Sequence, residues 1–134
     1  MLDAQLRREI VVTARNRVGL LAEISRLLSD MGINLLSIAL NATDDTAVIR
    51  VLANSHSYAC DALKEAGFGV EERDIIVIEL PHHPGFVCRI SEALARKEIS
   101  LVDLHATVPR EGSTGVVVFS CSDNGRAVQM LRGQ

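Results

Sequence analysis

The hydrophobic and polar positions in the first half of the chain predict strands and helices in a regular order. Residues 8–14 alternate between apolar and polar side chains, which is typical of a half-buried strand. Residues 20–31 carry apolar side chains at helical spacing, and Gly32 follows as the expected end of that helix. The remaining elements are predicted as strands at 33–40, 46–53 and 68–72 and a helix at 57–66. The predicted order is therefore βαββαβ.

The second half of the chain repeats the first at a distance of 66 residues. At this shift Gly19 falls on Gly85 and Ile33 falls on Ile99. Strands are predicted at 75–80, 99–106 and 115–121, and helices at 85–97 and 125–131. The chain is therefore predicted to contain two units, 1–72 and 73–134, both of the α+β class. Each is expected to have the ferredoxin-like fold, an antiparallel sheet with both helices on one face.

The second unit lacks an obvious last strand, because few residues follow its second helix. Its first strand, at 75–80, would then form an open apolar edge. Such edges pair with other chains and promote aggregation. We therefore expect residues 68–72, or a partner chain, to pair with this edge.

Three predicted strands are apolar on both faces, at 35–40, 75–78 and 116–119. An antiparallel strand with one face in water normally alternates between apolar and polar side chains. The second face of each sheet is therefore expected to be buried as well, by the sister unit or by another subunit. This pattern predicts a homo-oligomer, a dimer or higher.

Composition excludes several classes of function. The chain has 134 residues, a formal charge of −3 and only 3% aromatic residues. The charge disfavours a phosphate-binding surface and the lack of aromatics disfavours base stacking, so no nucleic-acid partner is expected. No apolar run approaches the length of a membrane span and no signal peptide is visible, which predicts no membrane partner. The three cysteines form no paired motif, so a cytoplasmic protein with reduced thiols is expected.

The sequence contains none of the common catalytic or metal-binding motifs. No nucleophile elbow, phosphate-binding loop or zinc-protease motif occurs, and Cys88 has no residue placed to activate it. The chain has four histidines, His56, His82, His83 and His105. Neighbouring histidines point in different directions on an extended chain, and no Cys or acidic ligand was found at a chelating spacing. We therefore expect no catalytic activity, no metal and no cofactor.

The loops before the first helix of each unit offer binding chemistry instead. Asn16-Arg-Val-Gly19 and His82-His-Pro-Gly85 both lead directly into a helix N-terminus, where backbone N–H groups and the helix dipole attract a carboxylate. Asn34, at the start of the next strand, is expected to lie near Asn16 at the same end of the unit. Their amides would suit an ammonium group and a carboxylate together. The alternative is structural, with Asn16 capping the helix and Asn34 shaping a turn.

These residues carry a family resemblance. The segment from Asn16 to Asn34, with its loop glycine and its Gly-Ile-Asn step, resembles the signature of ACT domains. The segment from His83 to Ile99 resembles it again, so the likeness covers nearly the whole chain as a tandem pair. The resemblance implies small βαββαβ modules that bind an amino acid, usually at an interface between two ACT domains. The ligand-binding residues it implies are Asn16, Arg17, Val18, Gly19, Leu20 and Asn34 in the first unit and His82, His83, Gly85, Phe86 and Ser100 in the second.

The chain departs from the family signature at three positions. Val18 stands where the signature commonly has proline, and the second unit has His82 and Ser100 in place of the two asparagines. The second unit is therefore expected mainly to form one side of a binding site rather than to hold the ligand itself. The resulting hypothesis is a non-catalytic regulator that senses an amino acid. The alternative is an accessory subunit that docks on a separate enzyme or transcription regulator without binding ligand itself.

Overall fold

The computed structural model describes residues 3–80, 85–107 and 115–133. The elements are β1 (Ala4–Arg15), α1 (Leu20–Asp30), β2 (Leu35–Thr43), β3 (Thr46–Ala53), α2 (His56–Glu65), β4 (Gly69–Leu80), α3 (Phe86–Arg96), β5 (Leu101–Ala106), β6 (Gly115–Cys121) and α4 (Asn124–Arg132). The predicted α+β class and the tandem βαββαβ arrangement are confirmed.

The first compact unit is formed by Arg8–Arg73. Its strands are ordered β2-β3-β1-β4, and β3 pairs antiparallel with both β1 and β2. Alternate strand residues such as Val12 and Ile49, which are register partners, pack with Ile24 and Leu63 of the two helices into one apolar core. The core thus lies between the helices and one face of the sheet.

The second compact unit is formed by Met1–Arg7 together with Asp74–Gln134, and its strands are ordered β1-β4-β6-β5. Ala4 is fully buried in the core of this unit. The Arg132 guanidinium at the end of α4 donates a hydrogen bond from Nε to the carbonyl oxygen of Ala4, at 2.9 Å. The start of β1 therefore provides the last strand that the second unit does not contain in its own half of the sequence.

This arrangement corrects two expectations. The apolar strand at 75–80 is paired, but neither by residues 68–72 nor by a second chain: its neighbours are β6 and β1. Residues 68–72 cannot cover this edge, because they belong for the most part to the same strand, β4. Both β1 and β4 are twelve residues long and continue from one unit into the other. The strands predicted at 8–14 and 68–72 therefore cover only part of β1 and β4.

The outer strand of each unit carries a bulge near its start. The pairing of β2 with β3 shifts between Leu35 and Ser37, and the pairing of β5 with β6 shifts between Leu101 and Asp103. The extra residues, Leu36 and Val102, are both exposed. Such bulges bend an edge strand and interrupt its ladder of free backbone groups.

The three strands that are apolar on both faces differ in how far the chain itself covers them. In β4 and β6, which lie inside the sheet order of the second unit, Ile75, Ile76, Val117 and Val118 are buried. The outer strand β2, in contrast, leaves three large apolar side chains partly in water, namely Leu36, Ile38 and Leu40. None of the helices in the described ranges is long and apolar enough to span a membrane.

Candidate functional site

Both α1 and α3 begin at a glycine in the left-handed backbone region. Gly19 has φ +86° and Gly85 has φ +91°, and neither helix has a side-chain cap. The first backbone bonds are equivalent, with the N–H of Glu23 donating to Gly19 and that of Arg89 donating to Gly85, both at 2.9 Å. Since a first helical turn has N–H groups without intrahelical partners, each start is a potential anion site.

Asn16 fastens the loop before α1 to the β2–β3 hairpin. Its backbone N–H donates to the carbonyl oxygen of Asp45 at 2.7 Å, and its side-chain Nδ2 donates to that of Asp44 at 3.3 Å. The alternative in which Asn16 caps the helix is therefore wrong, because Gly19 holds the cap position. The Asn16 side chain is exposed.

The other predicted residues of this loop differ in exposure. Arg17 forms an ion pair with Glu23 in the first turn of α1, and Val18 is fully exposed. Leu20 is only 3% exposed and belongs to the core. The side chain of Leu20 therefore supports the loop from inside, while Asn16, Arg17, Val18 and the glycine backbone present surface to a ligand.

Asn34 lies in a different place, beside an open groove at the C-terminal end of α1. The groove has a volume of about 520 Å³ and is lined by Ser25, Ser29, Gly32, Ile33, Asn34 and Leu35. The backbone of Asn34 is held on both sides by Asn54: Asn54 Oδ1 accepts the N–H of Asn34 at 3.1 Å, and the Asn54 N–H donates to the Asn34 carbonyl. The exposed Asn34 amide thus projects from a fixed backbone, and the bracing residue Asn54 was missed from the sequence.

The two asparagines do not lie together within one unit. Asn16 is bonded to the hairpin that follows β2, whereas Asn34 precedes β2 and is bonded to the residue that follows β3. The length of β2 separates them, nine residues or roughly 30 Å at the rise of an extended strand. The expectation that Asn16 and Asn34 share one end of the unit is therefore wrong, because the helix between them returns the chain to the opposite end.

The second unit reproduces part of this arrangement with other side chains. Ser100 takes the place of Asn34, and its backbone N–H donates to Ser122 Oγ at 3.0 Å while its carbonyl accepts the Ser122 N–H at 2.8 Å. Phe86, the first residue of α3, is half-buried beneath the guanidinium of Arg89, 5.6 Å from the ring centre. The predicted ligand residues His82 and His83 lie outside the described residues.

Exposed apolar side chains follow the outer edge of both units. In the first unit Ile38 and Leu40 of β2 pair with core residues of β3, so they lie on the helix-covered face of the sheet, yet they remain 39% and 44% exposed. In the second unit Leu104 of β5 occupies the same position and is 36% exposed. We call the first of these surfaces, defined by Leu36, Ile38 and Leu40, the β2 edge.

One group of potential metal ligands contradicts the sequence analysis. His56, Cys60 and Glu72 place one ligand atom each within 4.8 Å of one another. His56 and Cys60 are four residues apart on α2, a chelating spacing that was overlooked. Burial and the nearby Glu72 carboxylate raise the pKa of the Cys60 thiol, so it is not an activated nucleophile. For Cys88, the Glu92 carboxylate that accepts its hydrogen bond also raises the thiol pKa.

This geometry defines a class of protein: two βαββαβ units with glycine-started helices and a groove beside the outer strand. The chain belongs to the ACT domain pair family, whose family model matches residues 6–132. The fold of an ACT domain pair is typical of amino-acid-sensing regulatory domains. No curated protein sequence shows significant similarity to the chain.

Two solved structures illustrate the fold. Protein BT0572 of Bacteroides thetaiotaomicron has a TM-score of 0.88 at 21% identity, over 97% of this chain and 89% of that one. The ligand-free regulatory subunit of aspartate kinase from Thermus thermophilus has a TM-score of 0.65 at 15% identity, over 97% and 95% of the two chains. At these identities the similarity establishes the shared fold.

Proposed function

We propose that this chain is a cytoplasmic, non-catalytic regulatory protein that senses an amino acid where the first units of two copies meet. The observation that carries the proposal is the position of Asn16 and Asn34. They lie at opposite ends of one unit, with the exposed β2 edge running between them. A ligand that needs both residues must therefore bind between two copies.

A two-fold axis satisfies this requirement. In an isologous interface a residue of one copy contacts a different residue of the other copy, and the same pair is in contact again with the two copies exchanged. If two β2 edges meet antiparallel, the groove at Asn34 of one copy lies against the loop at Asn16 of the other. The same contact removes Ile38 and Leu40 from water and forms two equivalent sites.

The groups at such a site suit an amino acid. The first turn of α1 offers backbone N–H groups and the positive end of the helix dipole to the ligand carboxylate. The groove offers the Asn34 amide and the Ser25 and Ser29 hydroxyls to the ammonium group and side chain. Arg17 is paired with Glu23, so the two charges beside the helix start balance each other.

A regulatory output follows from mass action. A ligand held by residues of both copies binds the dimer better than the monomer, and it therefore stabilises the dimer by its difference in affinity for the two states. A partner enzyme that contacts only one of these states would respond to the amino acid. Catalysis by this chain is not needed.

The binding experiment is calorimetric titration of the purified chain with each amino acid. We expect one amino acid to bind with about one site per chain, and Asn34→Ala to weaken it about tenfold or more, since one charge-assisted hydrogen bond contributes roughly 1.5–3 kcal/mol. Gln129→Ala, which also removes an exposed amide but on α4, is the matched control and should leave the affinity unchanged. Absence of heat with every amino acid would refute the proposal.

Analytical ultracentrifugation tests the geometry. Ile38→Asp places a charge on the β2 edge and is expected to dissociate the dimer and abolish ligand binding. Leu104→Asp, at the corresponding position of β5, should leave both unchanged. The alternative function, an accessory subunit without its own ligand, is favoured if Ile38→Asp dissociates a dimer to which no amino acid binds.

A further inference from the structure

A cluster of three side chains lies in the first unit away from the loop and groove described above. His56 and Cys60 stand on α2 and Glu72 stands on β4. Their ligand atoms are His56 Nε2, Cys60 Sγ and Glu72 Oε1, all within 4.8 Å of one another. Nitrogen, sulfur and carboxylate oxygen are the three donor types that proteins use for Zn²⁺.

The fold brings these residues together and leaves one side open. Residues four apart on a helix share a face, so His56 and Cys60 point the same way from the first turns of α2. Cys60 is 5% exposed and belongs to the core, whereas the side chains of His56 and Glu72 are 25% and 31% exposed. A metal ion can therefore enter from solvent, with a position left for a water ligand.

Two of the three distances between the ligand atoms match those expected around a tetrahedral Zn²⁺ ion. With Zn–S about 2.3 Å and Zn–N or Zn–O about 2.0–2.2 Å, tetrahedral angles place sulfur about 3.6 Å from nitrogen or oxygen. Cys60 Sγ lies 3.6 Å from His56 Nε2 and 3.8 Å from Glu72 Oε1. His56 Nε2 and Glu72 Oε1 are in direct hydrogen-bond contact and must move apart to roughly 3.3 Å, which exposed ends of side chains allow.

The charges also balance. A thiolate and a carboxylate together neutralise Zn²⁺, and Arg8 Nη2 lies 3.7 Å from the second carboxylate oxygen of Glu72, leaving Oε1 for the metal. Burial and the Glu72 carboxylate raise the pKa of Cys60, so its thiol keeps its proton without a cation. Hydrogen bonding from His56 is the main cause that lowers the pKa of Glu72, which is therefore already ionised at neutral pH.

We propose that His56, Cys60 and Glu72 form an exchangeable Zn²⁺ site, with Nε2, Sγ and Oε1 as ligands and water as the fourth. Binding releases the thiol proton to solvent, and the imidazole proton that Nε2 donates to Glu72 in the free protein moves to Nδ1, so that the lone pair of Nε2 faces the metal. Soft sulfur disfavours Mg²⁺ and Ca²⁺, which prefer all-oxygen sites.

Two observations make the site weaker than a structural zinc site. It has three protein ligands rather than four, and His56 Nδ1 is buried without a hydrogen-bond partner among the described residues. Loss of such an outer partner typically costs 10–100-fold in metal affinity. The strand pairing shows that the repeat distance grows from 66 to 68 residues after the hairpin of the second unit, since Ile38 pairs with Val51 and Leu104 pairs with Phe119. Asn124 and Val128 of α4 therefore correspond to His56 and Cys60, and only the first unit has the His and Cys pair.

The experiment uses the full chain freed of metal by chelation and titrated with Zn²⁺ and, separately, with Co²⁺. We expect one Zn²⁺ per chain and, with Co²⁺, a thiolate-to-cobalt charge-transfer band. Cys60→Ser should abolish the band, and His56→Ala and Glu72→Gln should each weaken Zn²⁺ binding about tenfold or more. Because binding releases the thiol proton, the affinity for Zn²⁺ should rise with pH.

The controls separate this site from other sources of metal binding. Cys88→Ser removes the exposed cysteine of α3 and should leave Zn²⁺ binding unchanged. Circular dichroism of each variant checks that it folds. The cobalt band is measured on the unaltered chain, so that measurement does not depend on the folding of any variant. Absence of that band, or Zn²⁺ binding that survives Cys60→Ser and His56→Ala, would overturn the proposal. Neither result depends on amino-acid binding.

Discussion

At the scale of single residues, the first unit contains one carboxylate that is almost completely removed from water. Glu9 on β1 is 1% exposed, and Arg73 on β4 donates a hydrogen bond from Nε to Glu9 Oε1 at 2.8 Å. Arg73 itself remains 31% exposed at its side chain. The two partners therefore differ in what each loses when the other is removed.

This difference predicts unequal effects of two substitutions. Arg73→Met should lower the free energy of unfolding by about 3 kcal/mol, because it leaves the buried Glu9 carboxylate without this cation. Glu9→Gln should cost only about 1 kcal/mol, since the amide oxygen still accepts a hydrogen bond and Arg73 reaches solvent. Urea denaturation measures both, and equal costs for the two variants would contradict the assignment.

The predicted binding residues show what the sequence could and could not supply at this scale. The loop glycines Gly19 and Gly85 were found from their spacing before each helix, and their positive φ angles agree with that role. The bracing of Asn34 by Asn54 was missed, because residues twenty apart meet only once β2 pairs with β3. The His56 and Cys60 spacing was readable, but Glu72 joins them only through the fold.

At the scale of elements, the ends of the two equivalent helices α1 and α3 differ in one residue. After α1 the chain turns through Gly32 at φ +70°, and after α3 it turns through Glu98 at φ +58°. Ile33 and Ile99 then donate equivalent hydrogen bonds back to Leu28 and Leu94 at 3.0 Å. The same left-handed turn is thus made by glycine in one unit and by a residue with a Cβ atom in the other.

Exchange of these residues should change stability in opposite directions. Glu98→Gly relieves the strain of a left-handed residue and is expected to raise the free energy of unfolding by about 1 kcal/mol. Gly32→Glu introduces that strain and should lower the free energy by a similar amount, since nothing lies within 4 Å of the added Cβ to cause a clash. Thermal unfolding of both variants checks the signs, and a destabilised Glu98→Gly protein would contradict the explanation.

Most elements could be predicted, because the apolar residues of each helix and of β3 recur towards one core, and the unbroken apolar run of β6 marks a strand that is buried on both faces. The exceptions are the long strands β1 and β4. Along β1, Ala4 is buried in the core of the second unit and Ile10 and Val12 are buried in that of the first, while Leu6 between them is 47% exposed. The exposed residues between Ala4 and Glu9 interrupt the apolar alternation, so the sequence pattern alone predicts a strand only from residue 8.

At the scale of the whole molecule, the second unit depends on residues from the opposite end of the sequence. Deletion of residues 1–7 removes the fully buried Ala4 and the carbonyl that Arg132 binds. We expect this deletion to destabilise the second unit by about 2 kcal/mol through lost hydrogen bonds and burial, while the first unit keeps its own four strands.

Amide hydrogen exchange can locate the effect. Protection should fall in Ile76 and Val117 of the second unit and stay unchanged in Val12 and Ile49 of the first. Leu6→Ala is the control, because Leu6 is 47% exposed and its truncation should alter neither unit by more than about 0.5 kcal/mol. Equal loss of protection in both units would show that the deletion acts on the whole chain instead.

The hydrogen bond between Arg132 and Ala4 joins residues 128 positions apart, and this separation sets an order of events during synthesis. The ribosome releases Ala4 before Arg132, and the first unit has all of its strands as soon as Arg73 has emerged. The second unit is complete only when α4 has been synthesised and has bound the earlier segment that contains Ala4. Contacts between such distant residues form slowly. The first unit is thus expected to fold while the start of β1, which completes the sheet of the second unit, has not yet paired with the end of β4.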